Sequence, residues 1–148
     1  MSDAPVFDQL NLVVRDMDAA LAFYRRLGLH VPDGAIYRTH SGAHHAEITM
    51  PNGCRLEFDS TALAKAYNAG WRDSGGSAHC VVLGFSLPSR KAVDARYAEL
   101  TSVGYRGRQP PYDTFWGARY AVIEDPDGNH VGLMSPKDPA RRSAPPQL

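Results

Sequence analysis

The apolar positions of the first half of this chain follow first a two-residue period and then a helical one. Residues 6–14 alternate, which predicts a half-buried strand with Leu10, Leu12 and Val14 on its apolar face. Asp16 can cap a helix that Gly28 can end. The apolar positions of that helix are Met17, Ala20, Leu21, Tyr24 and Leu27.

A hairpin follows this helix. The apolar runs at residues 46–50 and 54–59 flank the pair Asn52-Gly53, which strongly favours a tight turn between two strands. Residues 36–40 predict one more strand before the hairpin. The predicted order of the first half is therefore β-α-β-β-β, and residues 60–70, with Ser60 as cap, predict a connecting helix.

The second half repeats this pattern. Residues 79–87 predict a strand, and Ser89 can cap a helix that Gly104 ends. The apolar face of that helix carries Val93, Tyr97, Leu100 and Val103. Two strands then flank a turn at residues 125–129, where Pro126 sets φ and Gly128 can take a positive φ.

The spacing of these signals indicates an internal repeat. The helix-capping residue, the turn and the helix-ending glycine of the first half recur 73, 75 and 76 residues later. Three similar offsets in the same order predict two copies of one module. We expect a single domain over residues 1–135, with module one at 6–59, a linking helix and loop at 60–78 and module two at 79–135. Residues 136–148, rich in proline and charge, predict a disordered tail.

Composition excludes several classes of protein. Sixteen basic and sixteen acidic residues cancel, so nothing indicates a nucleic-acid or anionic-membrane partner. The first ten residues lack the basic and apolar regions of a signal peptide, and no apolar run approaches the length of a membrane span. We therefore expect a cytoplasmic protein. Cys54 and Cys80 adjoin apolar strand residues and predict buried free thiols.

Each predicted sheet has one face packed on a helix and one face left open. Two such modules can curve their sheets around a shared cleft. In module one, the alternation places Gln9, Asn11 and Glu57 on the cleft face. In module two, the same face carries Val82, Gly84, Ser86, His130, Gly132 and Met134. Gly132 would leave a gap on that face.

Four stretches of the chain resemble the vicinal oxygen chelate superfamily, also called the glyoxalase/bleomycin resistance/dioxygenase family. They are QLNLVVRDMDAALAFYRRLGL, NGCRLEFD, AVDARYAELTSVGY and RYAVIEDPDGNHVGL, and with their spacing they cover residues 6–135. The resemblance implies an α+β fold with two tandem β-α-β-β-β modules around a shared cleft. It also implies a homodimer.

The same resemblance implies where a divalent metal would bind. Members that use a metal take ligands from the first and last strand of each module, which here are Gln9, Glu57, Val82 and Gly132. Valine and glycine side chains cannot bind a metal, and a catalytic metal needs about three protein ligands. We therefore expect no metal cofactor. A metal held by Gln9 and Glu57, rescued by His79 or His130, is the alternative.

Several candidate residues have more than one interpretation. Glu57 could be a solvated carboxylate, an ion pair with Arg55 or Arg119, or a general base in an apolar cleft. His44 and His45 resemble a metal motif, but they adjoin Gly42 and predict exposed loop histidines. Aromatic residues at 112–116 form either core or a pocket wall. The candidates for that wall are Tyr112, Phe115 and Trp116, with Trp71 as a weaker one.

Two classes of function remain open. The first is a metal-independent binding protein that holds an aromatic or planar apolar ligand in a cleft that Gly132 widens, with drug sequestration as one such use. Its candidate ligand-binding residues are Gln9, Asn11, Glu57, Tyr112, Phe115, Trp116, His130 and Gly132. The second is a metal-dependent glyoxalase-like lyase or isomerase, or an extradiol-type dioxygenase. The sequence does not identify the ligand or the pairing of the modules.

Overall fold

The protein has the two-module α+β fold that the sequence predicted. A computed structural model describes residues 9–40, 42–67, 73 and 82–144. The chain divides into two compact units, Met1–Asp73 and Ser74–Leu148. Each unit contains one four-stranded mixed sheet. The shared cleft stays a prediction.

The first unit contains four strands and two helices. They are β1 (Gln9–Val14), α1 (Met17–Leu27), β2 (Ile36–Arg38), β3 (His44–Thr49), β4 (Arg55–Ser60) and α2 (Thr61–Tyr67). The strand order is β1-β4-β3-β2, with β1 parallel to β4 and the other neighbours antiparallel. The predicted strand at residues 36–40 is confirmed as β2, and the hairpin strand β3 begins two residues earlier than predicted.

Local signals determine the ends of α1. The Asp16 carboxylate accepts a hydrogen bond from the Ala19 backbone N–H at 2.9 Å, and Gly28 takes the left-handed conformation with φ 113°. The helix buries its apolar side against the sheet, where the rings of Tyr24 and Phe58 lie 5.0 Å apart. Leu12 is buried with them. The helix therefore covers the apolar face of the first sheet and leaves the other face to polar residues.

The second unit repeats this plan. Its elements are β5 (Val82–Ser86), α3 (Arg90–Ser102), β6 (Gly107–Asp113), β7 (Arg119–Glu124) and β8 (His130–Met134). The strand order is β5-β8-β7-β6, with β5 parallel to β8. The Ser89 hydroxyl caps α3 by accepting from the Ala92 N–H at 3.1 Å. Val93 and Leu100 are buried, as predicted, but Val103 is exposed because α3 ends before it.

The predicted strand pattern missed β6. This strand contains Pro110 and Pro111, and prolines count against a central strand because they cannot donate to a ladder. The strand lies at the edge of the second sheet, where one row of backbone groups needs no partner in that sheet. Its pairing with β7 shifts register twice, at Gly107/Gln109 and at Gln109/Tyr112.

The predicted disordered tail is wrong for residues 136–144. Pro139–Arg141 form a short 3-10 helix capped by the Asp138 carboxylate. Backbone N–H groups of Asp138 and Ser143 donate to the carbonyls of Gly117 and Phe115, at 3.0 and 2.9 Å. This segment is held by the loop between β6 and β7, a pairing that composition does not reveal. Residues 145–148 lie outside the described residues.

Two further expectations concern the cysteines and membrane-spanning helices. Cys54 is exposed rather than buried, because it follows the hairpin turn just before β4 begins. Cys80, like Trp71 and His79, lies outside the described residues. In the part of the chain that the structure describes, no helix is long and apolar enough to cross a membrane.

Candidate functional site

The open face of the first sheet carries a connected group of polar side chains. Strand register places Asn11 beside Glu57, Gln9 beside Arg55 and His45 beside Asp59. Because side chains alternate along a strand, these residues all lie opposite the face that packs on α1. We call this group the polar face, and it consists of Gln9, Asn11, His45, Glu47, Arg55, Glu57 and Asp59.

Glu57 is the centre of the polar face. It is buried, and its Oε2 accepts hydrogen bonds from Gln9 Nε2 at 3.1 Å and Asn11 Nδ2 at 2.8 Å. Its Oε1 lies 3.6 Å from Arg55 Nη1, and Arg55 also donates to Gln9 Oε1. Of the interpretations of Glu57, the ion pair with Arg55 is confirmed. The solvated carboxylate is wrong.

The alternative pairing of Glu57 with Arg119 joins residues of different units and stays a prediction. Arg119 Nε lies 2.8 Å from Asp94 Oδ1, and its Nη1 lies 3.0 Å from Asp113 Oδ1. The hydrogen bond to Asp94 raises the pKa of the Arg119 guanidinium above its ordinary value, so the guanidinium stays charged. Arg90 donates to Asp113 as well. These ion pairs tie α3 to β6 and β7 in the second unit.

The surroundings of Glu57 also differ from the apolar cleft expected for a general base. Its neighbours are two amides and a guanidinium, and one of its oxygens already accepts two hydrogen bonds. A general base must offer a lone pair to the proton that it removes. Glu57 therefore organises the hydrogen bonds of the polar face, and its role as a general base stays a prediction.

The histidines 44 and 45 lie in strand β3, so the expectation of exposed loop histidines is wrong. Consecutive strand residues point to opposite faces. His44 lies 3.1 Å from the Arg38 guanidinium, whereas His45 Nδ1 lies 2.6 Å from Asp59 Oδ1. The Asp59 carboxylate is 2 % exposed, and its Oδ2 accepts from Asn11 Nδ2 at 2.9 Å. The sequence did not predict a role for Asp59, because its pairing with His45 depends on strand register.

The residues at the family's metal positions do not fit a metal. Gln9 and Glu57 lie side by side, but their polar atoms bond each other, Asn11 and Arg55. In the second unit the same positions hold Val82 and Gly132. Among the residues that the structure describes, no three His, Cys, Asp or Glu side chains are placed to hold a metal ion. The predicted absence of a metal cofactor stays a prediction.

Aromatic side chains form a connected cluster in the second unit. The ring centroids of Phe115 and Trp116 lie 5.0 Å apart, those of Trp116 and Tyr120 5.9 Å, and those of Tyr112 and Tyr120 6.2 Å. All three pairs meet edge to face, an arrangement that adds stability beyond the apolar area buried. We call these four residues the aromatic cluster. Tyr112 and Phe115 keep 38 % and 39 % of their surface exposed, so the cluster faces solvent.

Tyr120 also fills the space above Gly132, so the expectation of a cleft widened at that glycine is wrong. A Cβ added to Gly132 would lie 2.6 Å from the Tyr120 hydroxyl oxygen and 3.0 Å from its ring. The missing side chain therefore allows a tyrosine ring to lie on the strand. Burial, followed by the nearby Tyr112, raises the pKa of the Tyr120 phenol above its ordinary value. No local pattern indicates this contact, since residues 120 and 132 belong to different strands.

A tight loop positions Phe115 and Trp116. The Thr114 hydroxyl accepts from the Ala118 N–H at 3.0 Å, and Gly117 takes a φ of 89°. A side chain on Gly117 would clash with the Asp138 carbonyl. Phe115 and Trp116 are thus presented by a loop whose two ends are hydrogen-bonded to each other and to the C-terminal segment.

The structure brings the predicted site residues together in two groups. Gln9, Asn11 and Glu57 share the polar face, while Tyr112, Phe115 and Trp116 share the aromatic cluster. His130 pairs in register with Val82 on one side and Glu124 on the other, at the start of β8. Their roles in ligand binding stay predictions. Sequence reasoning missed Tyr120, His45 and Asp59.

Comparison with known proteins identifies the family. Residues 6–133 match the model of the Glyoxalase/Bleomycin resistance protein/Dioxygenase superfamily. No curated protein sequence matches the chain significantly.

Solved structures show the same fold. A glyoxalase/bleomycin resistance protein/dioxygenase family enzyme from Burkholderia phytofirmans has a TM-score of 0.71 at 20 % identity, covering 86 % of this chain and 96 % of that one. A glyoxalase-related enzyme from Fulvimarina pelagi has a TM-score of 0.71 at 17 % identity, covering 90 % of this chain and 89 % of that one. A glyoxalase/bleomycin resistance protein/dioxygenase from Nocardioides has a TM-score of 0.67 at 23 % identity, covering 100 % of this chain and 92 % of that one.

Proposed function

The chain belongs to the glyoxalase/bleomycin resistance protein/dioxygenase superfamily, and from this premise we propose that it is a metal-independent binding protein for an aromatic or planar apolar small molecule. The observation that carries the proposal is the aromatic cluster. Rigid rings offer a large contact area at small entropic cost, and they stack well on planar ligands. The two exposed rings, Tyr112 and Phe115, supply the surface that a ligand would cover.

The metal positions support binding without a metal. Val82 is 54 % exposed and apolar, and the space above Gly132 is filled by Tyr120. Gln9 and Glu57 are engaged in the hydrogen bonds of the polar face. A site with one carboxylate and one amide binds a divalent metal weakly, since catalytic sites use about three protein ligands. Drug sequestration is one use of such a binding site, in keeping with the name of the family.

Trp116 provides the test of the binding site. The chain has two tryptophans, so a Trp71→Phe background leaves Trp116 as the only indole fluorophore. We expect bleomycin or the planar dye 8-anilinonaphthalene-1-sulfonate to change its emission saturably. In the native chain, Trp116→Ala should then weaken binding of the same probe by about 1–3 kcal/mol, the scale of a lost apolar anchor. Binding is measured by calorimetry.

Two controls separate binding from folding. Trp116→Phe keeps an aromatic ring and should retain most of the affinity. The urea midpoint of Trp116→Ala should fall by less than expected for a core tryptophan, whose truncation costs about 3–5 kcal/mol. A large loss of stability with unchanged affinity, or no saturable binding of either probe, would show that the aromatic cluster is structural.

Elemental analysis tests metal independence. Protein purified without chelator should contain no stoichiometric transition metal, and chelator should leave its thermal midpoint unchanged. About one Zn, Ni, Mn or Fe per chain would favour the metal-dependent lyase, isomerase or dioxygenase instead. Gln9→Ala with Glu57→Ala would then be expected to remove that metal.

A further inference from the structure

His45 and Asp59 form a pair that the aromatic cluster does not use. The two residues lie directly opposite each other on β3 and β4, and His45 Nδ1 is 2.6 Å from Asp59 Oδ1. An ionised carboxylate can only accept hydrogen bonds, so a bond to ionised Asp59 requires the proton on Nδ1. The second ring nitrogen, Nε2, then carries the lone pair of the neutral imidazole.

Asp59 is held firmly in this position. Its carboxylate is 2 % exposed, and Asn11 Nδ2 donates to Oδ2 at 2.9 Å. The same amide nitrogen donates to Glu57 Oε2 at 2.8 Å, so Asn11 bridges the two buried carboxylates. Arg55 lies against Glu57 and offsets one of the two charges. A carboxylate supported in this way fixes both the tautomer and the orientation of its histidine.

Burial of the Asp59 carboxylate costs free energy unless it is hydrogen-bonded, and Asn11 and His45 supply these hydrogen bonds. The His45 side chain itself is 28 % exposed. Among the described residues, Asp59 is its one hydrogen-bond or ion-pair partner. The imidazole is therefore anchored at Nδ1 while its other end remains accessible.

We propose that His45, oriented by Asp59, is a proton acceptor on the polar face for a small molecule with an acidic hydroxyl, such as a phenol or an enol. The ligand O–H donates to Nε2. When the proton transfers, the O–H bond breaks, an N–H bond forms on Nε2, and the electron pair stays on the ligand oxygen. Asp59 stabilises the imidazolium that results. This site lies in the first unit and goes beyond the proposed function of the aromatic cluster.

The groups around His45 set the charge that a ligand meets. Asp59 and Glu57 face it from β4, Glu47 lies two residues further along β3, and Arg55 is the one cation among the residues of the polar face. Tyr37 is its cross-strand neighbour on β2 and is 66 % exposed. With three carboxylates and one guanidinium, the face carries net negative charge. It therefore favours a ligand that arrives neutral over one that arrives as an anion.

The probe for this proposal is 4-nitrophenol, whose phenol and phenolate forms differ in visible absorbance. At a pH where the free probe is protonated, the native chain should bind it and produce the phenolate band. His45→Gln should lower the affinity by roughly tenfold, which corresponds to one hydrogen bond of about 1.4 kcal/mol, and should abolish the band. Nitrogen-15 NMR should show the native His45 ring protonated at Nδ1.

His44→Gln is the matched control. It makes the same chemical change one residue earlier, on the opposite face of β3, and should leave probe affinity unchanged. Equal probe affinity in the native chain and in His45→Gln would overturn the proposal. The same holds if neither protein binds the probe while their urea midpoints are equal. A His45 ring protonated at Nε2 would also overturn it. Binding lost in Trp116→Ala but kept in His45→Gln would overturn it while supporting the aromatic site, so the two proposals can fail separately.

Discussion

Gly132 shows at the residue scale how one missing side chain shapes the second sheet. An added Cβ would lie 2.6 Å from the Tyr120 hydroxyl oxygen. We expect Gly132→Ala to destabilise the protein by about 1–3 kcal/mol, because the ring must move off the strand. Gly84→Ala is the matched control. Gly84 pairs directly with Gly132 in register, but an added Cβ there would meet no atom within 4 Å.

Urea unfolding of both variants, alone and in a Tyr120→Phe background, measures this contact. The loss caused by Gly132→Ala should shrink when the hydroxyl is absent, and Gly84→Ala should stay near zero throughout. Equal effects of the two glycine substitutions would contradict the assigned packing of Tyr120.

The ionisation of Tyr120 offers a second test at this scale. Burial raises its pKa above the ordinary value of 10.0, so the folded protein keeps the phenol proton after the unfolded chain has lost it. Stability is then complete below about pH 10 and falls as the pH rises from there towards the raised value. Tyr120→Phe should flatten this alkaline decline in the urea midpoint. An ultraviolet titration in which every tyrosine ionises near the ordinary value would contradict this prediction.

At the scale of elements, the hairpin turns of the two modules have the same backbone hydrogen bond but differ in one buried carboxylate. Gly53 and Gly128 each donate to the backbone carbonyl three residues earlier, at 2.8 and 3.0 Å. In the second hairpin, that earlier residue is Asp125, which is buried. Its carboxylate accepts from the backbone N–H of Asp127 and Asn129, at 2.9 and 2.8 Å. The first hairpin has Met50 at this position, and there the Asn52 side-chain oxygen accepts one hydrogen bond from the Cys54 N–H.

These contacts predict different sensitivities of the two turns. Asp125→Ala should cost about 1–3 kcal/mol, because it leaves part-buried backbone donors without their acceptor. Asn52→Ala removes one exposed hydrogen bond and should cost no more than about 1 kcal/mol. Chemical unfolding of the two variants gives the comparison. A larger loss for Asn52→Ala would show that the assigned roles of the turns are wrong.

For the whole molecule, the expectation is a homodimer, which the family resemblance implies. The composition of the edge strands β1 and β5 favours association, since neither strand contains a charged residue or a proline. Such edges favour pairing with further strands unless they are covered. Light scattering at micromolar concentration should give twice the mass of 16.2 kDa. A monomer mass across a dilution series would count against the dimer.

The sequence by itself determined the features that depend on neighbouring residues. Asp16 and Gly28 end α1 because a cap and a left-handed residue act within one helical turn. The glycine at position 128 and its polar neighbours specify their turn in the same way. Strand alternation also placed Gln9, Asn11 and Glu57 on one face, because the two-residue period leaves no other choice. These local rules, applied twice, predicted the helices and strands that the structure describes, apart from β6.

Only the tertiary structure decided the features that depend on which strands become neighbours. His45 meets Asp59, and Tyr120 covers Gly132, through pairings between residues that lie far apart in sequence and whose register no local pattern specifies. Pro110 could lie within β6 because that strand takes the edge of its sheet. The C-terminal segment is ordered because the loop at Gly117 offers it a backbone acceptor. The residues that stabilise these contacts lie far apart in the sequence, and they become neighbours only when the chain folds.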